Sequence, residues 1–469
     1  MMKFQFIVFS ILFSLNTYGQ NNTTPIADTT LIIEKITIVG NKHTKERIIR
    51  RELDVFVGDT LSVSDTATLF QQDRNKIFNT SLFTHVDIFV TALNDNRVEV
   101  VISVNERWYI WPYPIFELAD RNFSEWATDR NKDPSRVNYG LRFTHDNFRG
   151  RKEELKLVLQ AGFTKKYELF YTIPYLNKSQ TIGAKFFVHF STNKDVAFRS
   201  NNHKLEYLKS EDLLRKRFYT GADITVRPNF YETHLGSLKF YQTEVADTIS
   251  ILNPDYFLDG RTTQRFLQLD YRYTIDKRNI QYYPTAGYFI KGEFQKLGLG
   301  VFGDVNQTVL LGTLAKYWPF HEKLSFTSIN RAKFSFPTKQ AYFNQRGLGW
   351  GEEFVRGYEL YVVDGQSYFL NRTSLKYRLI HLPNFENRLI PFKQFKKAPF
   401  SIFLKAHADY GYVADNTVNP MNNTLSNRSL YGFGPGIDVI TYYDIVWRFE
   451  YSFNSIGESR FFIHFAAEL

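Results

Sequence analysis

The sequence predicts a mainly β protein, a 16-stranded antiparallel transmembrane β-barrel preceded by one small α/β domain. Aromatic residues make up 17 % of the chain, with 45 Phe and 29 Tyr, as expected where aromatic girdles meet both membrane interfaces. From Trp108 onward, segments of about ten residues alternate between polar and apolar positions, which suits strands with one lumen face and one lipid face. Short turns and long loops connect these segments, as they connect the strands of such barrels.

The first 19 residues have the features of an export signal. Lys3 provides a positive end, residues 4–15 an apolar run, and Thr17-Tyr18-Gly19 a small-residue cleavage site. The apolar run is too short to span a bilayer as a helix. We therefore expect residues 1–19 to be a signal peptide and residues 20–30 to be a linker.

Cysteine usage and charge exclude several classes of protein. The chain contains no cysteine, which excludes a lipoprotein anchor, a disulfide framework and a thiolate metal site. The formal net charge is +10, but the Lys and Arg residues alternate with apolar ones and form no basic run. We interpret this charge as lumen and loop charge that also attracts anionic lipid head groups, and we expect no nucleic-acid partner. A secreted all-β protein is the rival at this level.

Residues 31–107 lack the long alternating segments of the barrel region and predict the α/β domain. Their order is strand, helix, helix, strand, strand, with Ser or Thr before each helix as a cap. The predicted elements are strand 32–39, a helix from an N-cap at Thr44 to about Leu53, a helix from a cap at Ser64 to about Phe78, and strands 85–90 and 97–104.

Residues 108–469 predict the barrel. In the clearest strand, 445–453, the odd-numbered residues are apolar or aromatic, whereas Arg448 and Glu450 lie on the other face. The first, fifth, seventh and eleventh connections are long and all odd-numbered, which indicates that they lie on one side of the membrane. The predicted strands are 108–118, 136–147, 153–163, 167–175, 180–191, 214–227, 234–244, 264–275, 286–297, 307–318, 322–336, 366–379, 401–413, 431–442, 444–454 and 459–467.

Several motifs resemble those of one family. Val355-Arg356-Gly357-Tyr358 lies in a Gly-rich interval within the eleventh connection, and His407-Ala408-Asp409-Tyr410-Gly411 lies on the thirteenth strand. The turns at 147–151 and 276–287 add two further matches. Together they resemble the outer-membrane β-barrel assembly and translocation superfamily, the bacterial surface antigen family of BamA-, Sam- and TpsB-like proteins. Residues 31–107 resemble its POTRA domain, present here in a single copy.

The resemblance implies a loop, 337–365, that folds back into the barrel. Val355, Arg356, Gly357 and Tyr358 would form its inserted motif. Alternation along the thirteenth strand directs Asp409 into the lumen, where the planar fork of a guanidinium suits a carboxylate. We expect Arg356 to pair with Asp409 and also with Glu450. The alternative is that these residues are ordinary lumen charges screened by water.

Enzymatic chemistry is not expected. The ten histidines show no metal-ligand spacing, and neither a Gly-x-Ser-x-Gly elbow nor a phosphate-binding loop is present. Gly432-Phe433-Gly434-Pro435-Gly436 lies inside an alternating strand with no helix after it, so it is not interpreted as a nucleotide loop. We expect no catalytic residues, no metal and no cofactor.

The resemblance implies insertion of β-barrel proteins into the outer membrane, or passage of polypeptide across it, with the POTRA domain in the periplasm. The expected partners are unfolded outer-membrane or exported polypeptides and outer-membrane lipid. Periplasmic or lipoprotein accessory subunits are a further possibility. A POTRA sheet edge can accept an extended polypeptide as an added strand, or the domain can be a scaffold. The alternatives are a passive pore or receptor, and lipid or lipopolysaccharide handling.

Barrel closure requires the first strand to pair with the sixteenth. Pro112 and Pro114 are two residues apart, so their nitrogens face the same edge, which lacks two hydrogen-bond donors. We expect this edge to be the closing one, opposite Phe461, Ile463 and Phe465, and to form a weak lateral seam. The alternative is that both prolines lie in a linker. We also expect the last strand, 460–469, to be the chain's own assembly signal.

Overall fold

The computed structural model describes residues 30–94, 96–120, 123–177, 179–386, 397–417, 422, 424–441 and 445–464. The signal peptide predicted at 1–19 lies outside these residues, as does the predicted linker apart from Thr30, which begins the first strand. None of the helices in the described ranges combines the length and the apolarity needed to span a bilayer.

The N-terminal domain is a four-stranded sheet with two helices. The sheet order is β2-β1-β4-β3, in which β1 runs parallel to β4 and the other pairs are antiparallel. Apolar residues of the helices and the strands, among them Ile33, Ile48, Ile77 and Ile102, form a single buried core. The elements are β1 (Thr30–Val39), α1 (Glu46–Arg50), β2 (Thr60–Ser62), α2 (Val63–Asn79), β3 (Phe83–Asn94) and β4 (Arg97–Glu106).

Both predicted helix starts were wrong by one or two positions. Lys45, not Thr44, occupies the N-cap of α1, and no side chain caps that helix. The hydroxyl of Thr44 instead lies 3.0 Å from the Tyr109 hydroxyl and accepts a hydrogen bond from Asn147 Nδ2 at 2.8 Å. The cap of α2 is Ser62, whose hydroxyl accepts the Ser64 N–H. Strand β2 was not predicted.

The remaining residues build the predicted 16-stranded antiparallel sheet, in which each strand pairs with the next one of the set. All sixteen predicted strands are present, so the fold class is confirmed. The twelfth extends seven residues beyond its predicted end and the thirteenth begins four residues before its predicted start, whereas the predicted end of the sixteenth, 465–467, lies outside the described residues. The strands are β5 (Ile110–Leu118), β6 (Val137–Phe148), β7 (Glu153–Gly162), β8 (Thr164–Ile173), β9 (Ile182–Asn193), β12 (Arg215–Val226), β13 (Glu232–Val245), β14 (Thr263–Asp276), β15 (Gly287–Leu297), β16 (Gln307–His321), β17 (Leu324–Phe336), β18 (Ser367–Glu386), β19 (Lys397–Ala414), β20 (Ser429–Ile440), β21 (Val446–Asn454) and β22 (Ser459–His464).

The odd-numbered connections carry additional structure. The fifth connection, expected to be a loop, contains an antiparallel hairpin, β10 (Asp195–Asn201) and β11 (Lys204–Lys209). Asn202 and His203 turn the hairpin with φ values of 48° and 59°. The first connection contains α3 (Phe123–Thr128) and a 3-10 helix (Pro134–Arg136), and the seventh contains α4 (Asp247–Leu252).

Alternation along β19 separates the two faces of the barrel wall. Leu404 is exposed at 42 %, whereas Lys405, His407 and Asp409 are buried in the lumen. The exposed face is apolar, as lipid contact requires. Strands β18 and β19 pair as far as Glu386 and Lys397, well beyond the last pairs that join them to β17 and β20. They therefore form a hairpin that projects from the barrel.

The N-terminal domain contacts even-numbered connections, which places those connections on its side of the membrane. Lys45 N–H donates to the carbonyl of Gly150 in the second connection, at 2.9 Å. The Arg51 guanidinium lies 4.6 Å from the ring of Tyr175 in the fourth connection. Glu52 lies 3.5 Å from Arg227 in the sixth. The projecting hairpin, at the twelfth connection, is on this side too.

Candidate functional site

The eleventh connection folds back into the lumen. Leu348 and Val363 form an isolated antiparallel bridge that closes the loop on itself. These two residues, with Val355 and Tyr358, pack in a buried cluster against apolar side chains of the wall. The wall residues in this cluster are Tyr368, Leu370, Val413 and Leu430, joined by Leu425 of the thirteenth connection. The loop is therefore held by packing as well as by charge.

Arg356 lies against Asp409, inside the barrel. Its Nε and Nη2 atoms donate to the two carboxylate oxygens of Asp409 at 2.8 and 2.6 Å. The backbone N–H of Arg356 donates to the same carboxylate at 3.0 Å. Both side chains are almost completely buried, with 2 % and 0 % of their surfaces exposed. This is the bidentate geometry that arginine forms with a carboxylate.

The other guanidinium donors of Arg356 also have acceptors. Nη1 donates to Ser374 Oγ at 3.1 Å and to Glu450 Oε1 at 3.2 Å. Nη2 makes a second bond, to the carbonyl of Thr373 at 2.9 Å. All five N–H groups of the guanidinium are thus satisfied. A lysine offers three donors from one point, so it cannot reproduce this arrangement.

A second cation shares Glu450. Lys405 Nζ lies 2.8 Å from Glu450 and 2.7 Å from Asp438, and these three side chains are fully buried. The Tyr283 hydroxyl donates to Asp438 at 2.8 Å. Burying ions is costly unless each is paired, and this network supplies the pairs. Alternation along the thirteenth strand directs Lys405 into the lumen together with Asp409. The sequence did not predict that Lys405 would join Glu450 to Asp438.

Arg372 holds the backbone of the loop one step before the motif. Its guanidinium donates to the carbonyl of Phe354 at 3.0 and 2.7 Å and to that of Glu352 at 2.6 Å. The Phe354 ring lies 4.4 Å from the guanidinium and stacks on His464 of the last strand at 5.4 Å. The sequence analysis did not predict a role for Arg372, although even-numbered residues of β18 face the lumen.

The last two motif residues contact the connection that follows β21. Gly357 has φ 95°, in the left-handed region where glycine is favoured, and its carbonyl accepts the Asn454 side-chain amide at 2.8 Å. The Tyr358 hydroxyl lies 2.7 Å from Ser455 Oγ. The motif therefore lies against three neighbouring strands of the wall, from Asp409 of β19 to Asn454 at the end of β21.

The hairpin β10–β11 clamps the inserted loop from the outer side. The carbonyl of His203 accepts Val362 N–H at 2.8 Å, and its Nε2 accepts Leu425 N–H at 2.9 Å. Ser200 donates to Asp364 of the loop. We refer to this hairpin, together with residues 422 and 424–426, as the outer clamp.

The two prolines lie on the edge of β5 that faces away from β6. Asp146 N–H donates to Tyr109 O, and Ala119 N–H to Arg136 O, both at 2.8 Å. These pairs fix the register, so odd-numbered residues of β5 bond to β6 and even-numbered residues face the other edge. The nitrogens of Pro112 and Pro114 therefore lie on that outer edge. Both prolines are within the strand, not in a linker.

The last strand, β22, also has an outer edge that is not paired within the described residues. Asn454 N–H donates to Glu458 O at 2.9 Å, so even-numbered residues of β22 bond to β21. Phe461 and Ile463 direct their backbone groups outward, and their side chains are exposed at 51 % and 36 %. Within the described residues, the sheet runs from β22 to β5 with no ladder between these two strands. Phe465 lies outside the described residues.

The fold and these contacts define a class: an outer-membrane barrel with a lumenal loop and a periplasmic domain. Residues 147–442 match the Omp85 superfamily domain, and residues 31–107 match the POTRA family described as surface antigen variable number repeat. The chain belongs to the Omp85 superfamily.

Two solved structures share the fold. BamA from Haemophilus ducreyi lacking POTRA domains 1–3 aligns at 15 % identity with a TM-score of 0.53, over 93 % of this chain and 84 % of that one. CdiB from Escherichia coli aligns at 12 % identity with a TM-score of 0.56, over 93 % of this chain and 76 % of that one. No curated protein matches the sequence.

Family membership settles the general role. The protein resides in the outer membrane with its POTRA domain in the periplasm, and it acts in outer-membrane protein assembly or translocation. Proteins of this type assemble and transport polypeptides and are not enzymes. Among the described residues, no three His, Asp or Glu side chains are grouped as metal ligands would be.

Proposed function

We propose that this protein inserts β-barrel polypeptides into the outer membrane and admits client strands between β5 and β22. The observation that carries the proposal is the outer edge of β5, where Pro112 and Pro114 supply no N–H groups. Each absent hydrogen bond removes on the order of 1 kcal/mol from closure, so the two together remove about 2 kcal/mol. Edge groups that are not paired within the barrel can pair with an incoming strand.

The POTRA domain offers a first docking place for the client. Strand β3 lies at the edge of the sheet, next to β4 on one side only. It is 12 residues long, and Phe89 on its outer face is 48 % exposed. An extended polypeptide can add to such an edge through main-chain hydrogen bonds. Docking there would hold an unfolded barrel close to the periplasmic end of the seam.

The inserted loop supports assembly over a passive pore. Its motif lies inside the lumen against β19, β20 and β21, from Asp409 to Asn454, and the outer clamp holds the loop through His203. A pore that conducts freely would have to release this loop and break at least the bidentate pair. Client folding into the bilayer would supply the driving force. Outer-membrane lipid would surround the seam between β5 and β22. Any accessory subunit would have to bind elsewhere, so that client strands can reach this seam.

A disulfide across the seam tests the proposal. The chain has no native cysteine, so Tyr113→Cys can be paired in turn with Arg460→Cys, Phe462→Cys and His464→Cys. The matched control is Phe326→Cys with Leu375→Cys, which are directly paired in the β17–β18 ladder. Oxidation of a seam pair should stop insertion of a denatured barrel client into liposomes, and reduction should restore it. Oxidation of the control pair should leave insertion unchanged.

Two further measurements distinguish the alternatives. A photo-crosslinker at Phe89 should capture unfolded barrel precursors, and depletion of the protein should lower the abundance of outer-membrane barrels. Insertion that continues at full rate with the seam closed would overturn the proposed route. A large ion conductance with the loop in place would favour the passive pore.

A further inference from the structure

A cavity of about 390 Å³ lies between the POTRA domain and the periplasmic end of the lumen. Its barrel wall is the lumen face of β13 and β14, including Thr233 and Thr274. Its other wall is the C-terminal end of α2, including Lys76 and Thr80. We call this cavity the vestibule. It lies at the periplasmic entrance of the lumen, next to the POTRA domain.

Five cations line the vestibule, and three of them have a carboxylate of their own. Arg278 lies 2.7 Å from Asp276, and Arg272 lies 2.9 Å from Glu293. Lys76 is paired with Asp73 at 3.1 Å and also with Asp54. These three side chains are neutralised by their own domains and leave no surplus charge. The other two cations are Lys152 and Arg227.

One buried carboxylate, that of Glu52, lies beside Lys152 and Arg227, and the Nε and Nη2 atoms of Arg227 donate to the carbonyl of Phe230 at 3.3 and 3.0 Å. Arg227 Nη1 lies 3.5 Å from Glu52, and Arg51 Nε lies at the same distance, so Glu52 already serves two guanidinium groups. The ammonium of Lys152 makes no hydrogen bond or ion pair with the described residues. Three cations facing one carboxylate leave a local surplus of positive charge.

Lys152 lies in a periplasmic turn, and burial is the main cause that lowers the pKa of its ammonium to about 8. The charge of Glu52 opposes this shift, and the positive charges of Arg227 and Arg51 add to it. A bound anion would relieve the repulsion between these cations and give the Lys152 ammonium a partner. The Phe230 ring lies 4.7 Å from the guanidinium of Arg227 and 5.2 Å from the ammonium of Lys76, which fixes the cationic wall.

We propose that the vestibule binds carboxylate side chains of an acidic segment in a polypeptide that enters the lumen from the periplasm, with Lys152 and Arg227 as its ligands. This inference rests on the proposed function, because it assumes a polypeptide client. The lipid face lies on the opposite side of the β13–β14 wall, so a lipid head group has no direct route to these residues. The threonine hydroxyls of Thr233 and Thr274 provide further donors for carboxylate oxygens.

Peptide binding by the full-length protein in lipid nanodiscs tests this site. The probe is a fluorescein-labelled Glu-Ser repeat peptide, the matched peptide has Gln in place of Glu, and the readout is fluorescence anisotropy. We expect the acidic peptide to bind more tightly than the Gln peptide. Lys152→Gln should weaken acidic-peptide binding about tenfold, as the loss of one charge-assisted hydrogen bond would. Lys339→Gln, at an exposed position near the start of the eleventh connection and on the side of the membrane opposite the vestibule, removes the same charge and should change nothing.

The outcomes separate this proposal from the proposed function. Heat-modifiable migration of Lys152→Gln on gels would show that its barrel is folded. Equal affinity for the two peptides, or no effect of Lys152→Gln and Arg227→Gln, would overturn the site even if client insertion proceeds. Inorganic phosphate that binds in place of the acidic peptide, with no peptide binding at all, would overturn the polypeptide assignment. Peptide binding that depends on Lys152 would support the site even if the seam disulfide leaves insertion unchanged.

Discussion

Gly432 of β20 lies directly against the backbone carbonyl of Arg356, so closely that a Cβ atom at position 432 would overlap that oxygen. Gly411 on the neighbouring strand is in a similar position, with Val355 above it. The wall beneath the motif is therefore lined by residues without side chains. This absence of side chains lets the loop backbone reach the depth at which Arg356 meets Asp409.

Gly432→Ala should displace the inserted loop without changing any charge. The added methyl group has to move the Arg356 carbonyl, and overpacking of this kind costs about 1–3 kcal/mol. We expect faster proteolysis within residues 337–365 while the barrel stays heat-modifiable. Gly292→Ala is the matched control, because nothing lies within 4 Å of its added Cβ. Equal protease resistance of the two variants would show that the close approach is unimportant.

Arg356→Ala should release the loop more completely. Removal of one partner from a buried charge pair costs roughly 3–5 kcal/mol, since Asp409 is left uncompensated. Limited proteolysis of the loop and client insertion should both report the loss, while the barrel remains folded. Arg356→Lys keeps the charge but supplies only three donors, so it should restore stability in part. Unchanged proteolysis of the loop in Arg356→Ala would refute the role of the pair.

The outer clamp should weaken in acid. Burial lowers the pKa of His203 to about 4 from its usual 6.5, and its Nε2 can accept Leu425 N–H only while unprotonated. Between these two values the released histidine binds a proton that the clamped one does not, so clamp stability falls as pH drops from 6.5 to 4. The full loss is about 3 kcal/mol, at about 1.4 kcal/mol for each pKa unit. Hydrogen exchange at Val362 should rise over this range relative to a reference amide in the barrel wall. In His203→Gln this pH dependence should vanish.

Deletion of residues 461–469 should abolish recovery of the barrel. Phe461 and Ile463 are the described part of the lipid-facing row of β22, and without them β21 becomes an exposed edge. Outer-membrane fractions should then contain no heat-modifiable species. Recovery of a heat-modifiable barrel from the truncated chain would contradict an assembly signal in this strand. Phe465→Ala in the full chain tests whether that residue carries the recognition.

The barrel could be predicted from sequence because each strand repeats the same alternation over many residues. Periodicity defined the sixteen strands and the lumen parity of Asp409. The β10–β11 hairpin was missed because its strands are 7 and 6 residues long and its turn, Asn202-His203, lacks the usual glycine. The helix starts were missed because Thr44 uses its hydroxyl across the domain boundary, which local sequence does not reveal.

The site was predicted in part for a similar reason. A motif identifies Arg356, and parity identifies a lumen carboxylate, so the amino-acid sequence was enough to match the two. The network around Glu450 depends on which lumen residues of β19, β20 and β21 are neighbours. Lys405, Asp438 and Arg372 occupy strand positions whose side chains face the lumen, but many other charged residues do as well. Only the register between neighbouring strands shows which of these charged residues are in contact, and the sequence alone does not give that register.

The projecting hairpin of β18 and β19 gives the protein a mechanical connection between its two sides. The strands that carry Arg372 and Asp409 stay paired, with two register shifts, as far as Glu386 and Lys397, beyond the ladders to their other neighbours. From Asp409 to Lys397 the extended chain covers about 40 Å, at about 3.4 Å for each residue. A two-stranded ribbon resists stretching, so a pull on its periplasmic end is delivered to the residues that grip the loop. A force on the periplasmic end of this hairpin would therefore act on the contacts that hold the inserted loop inside the barrel.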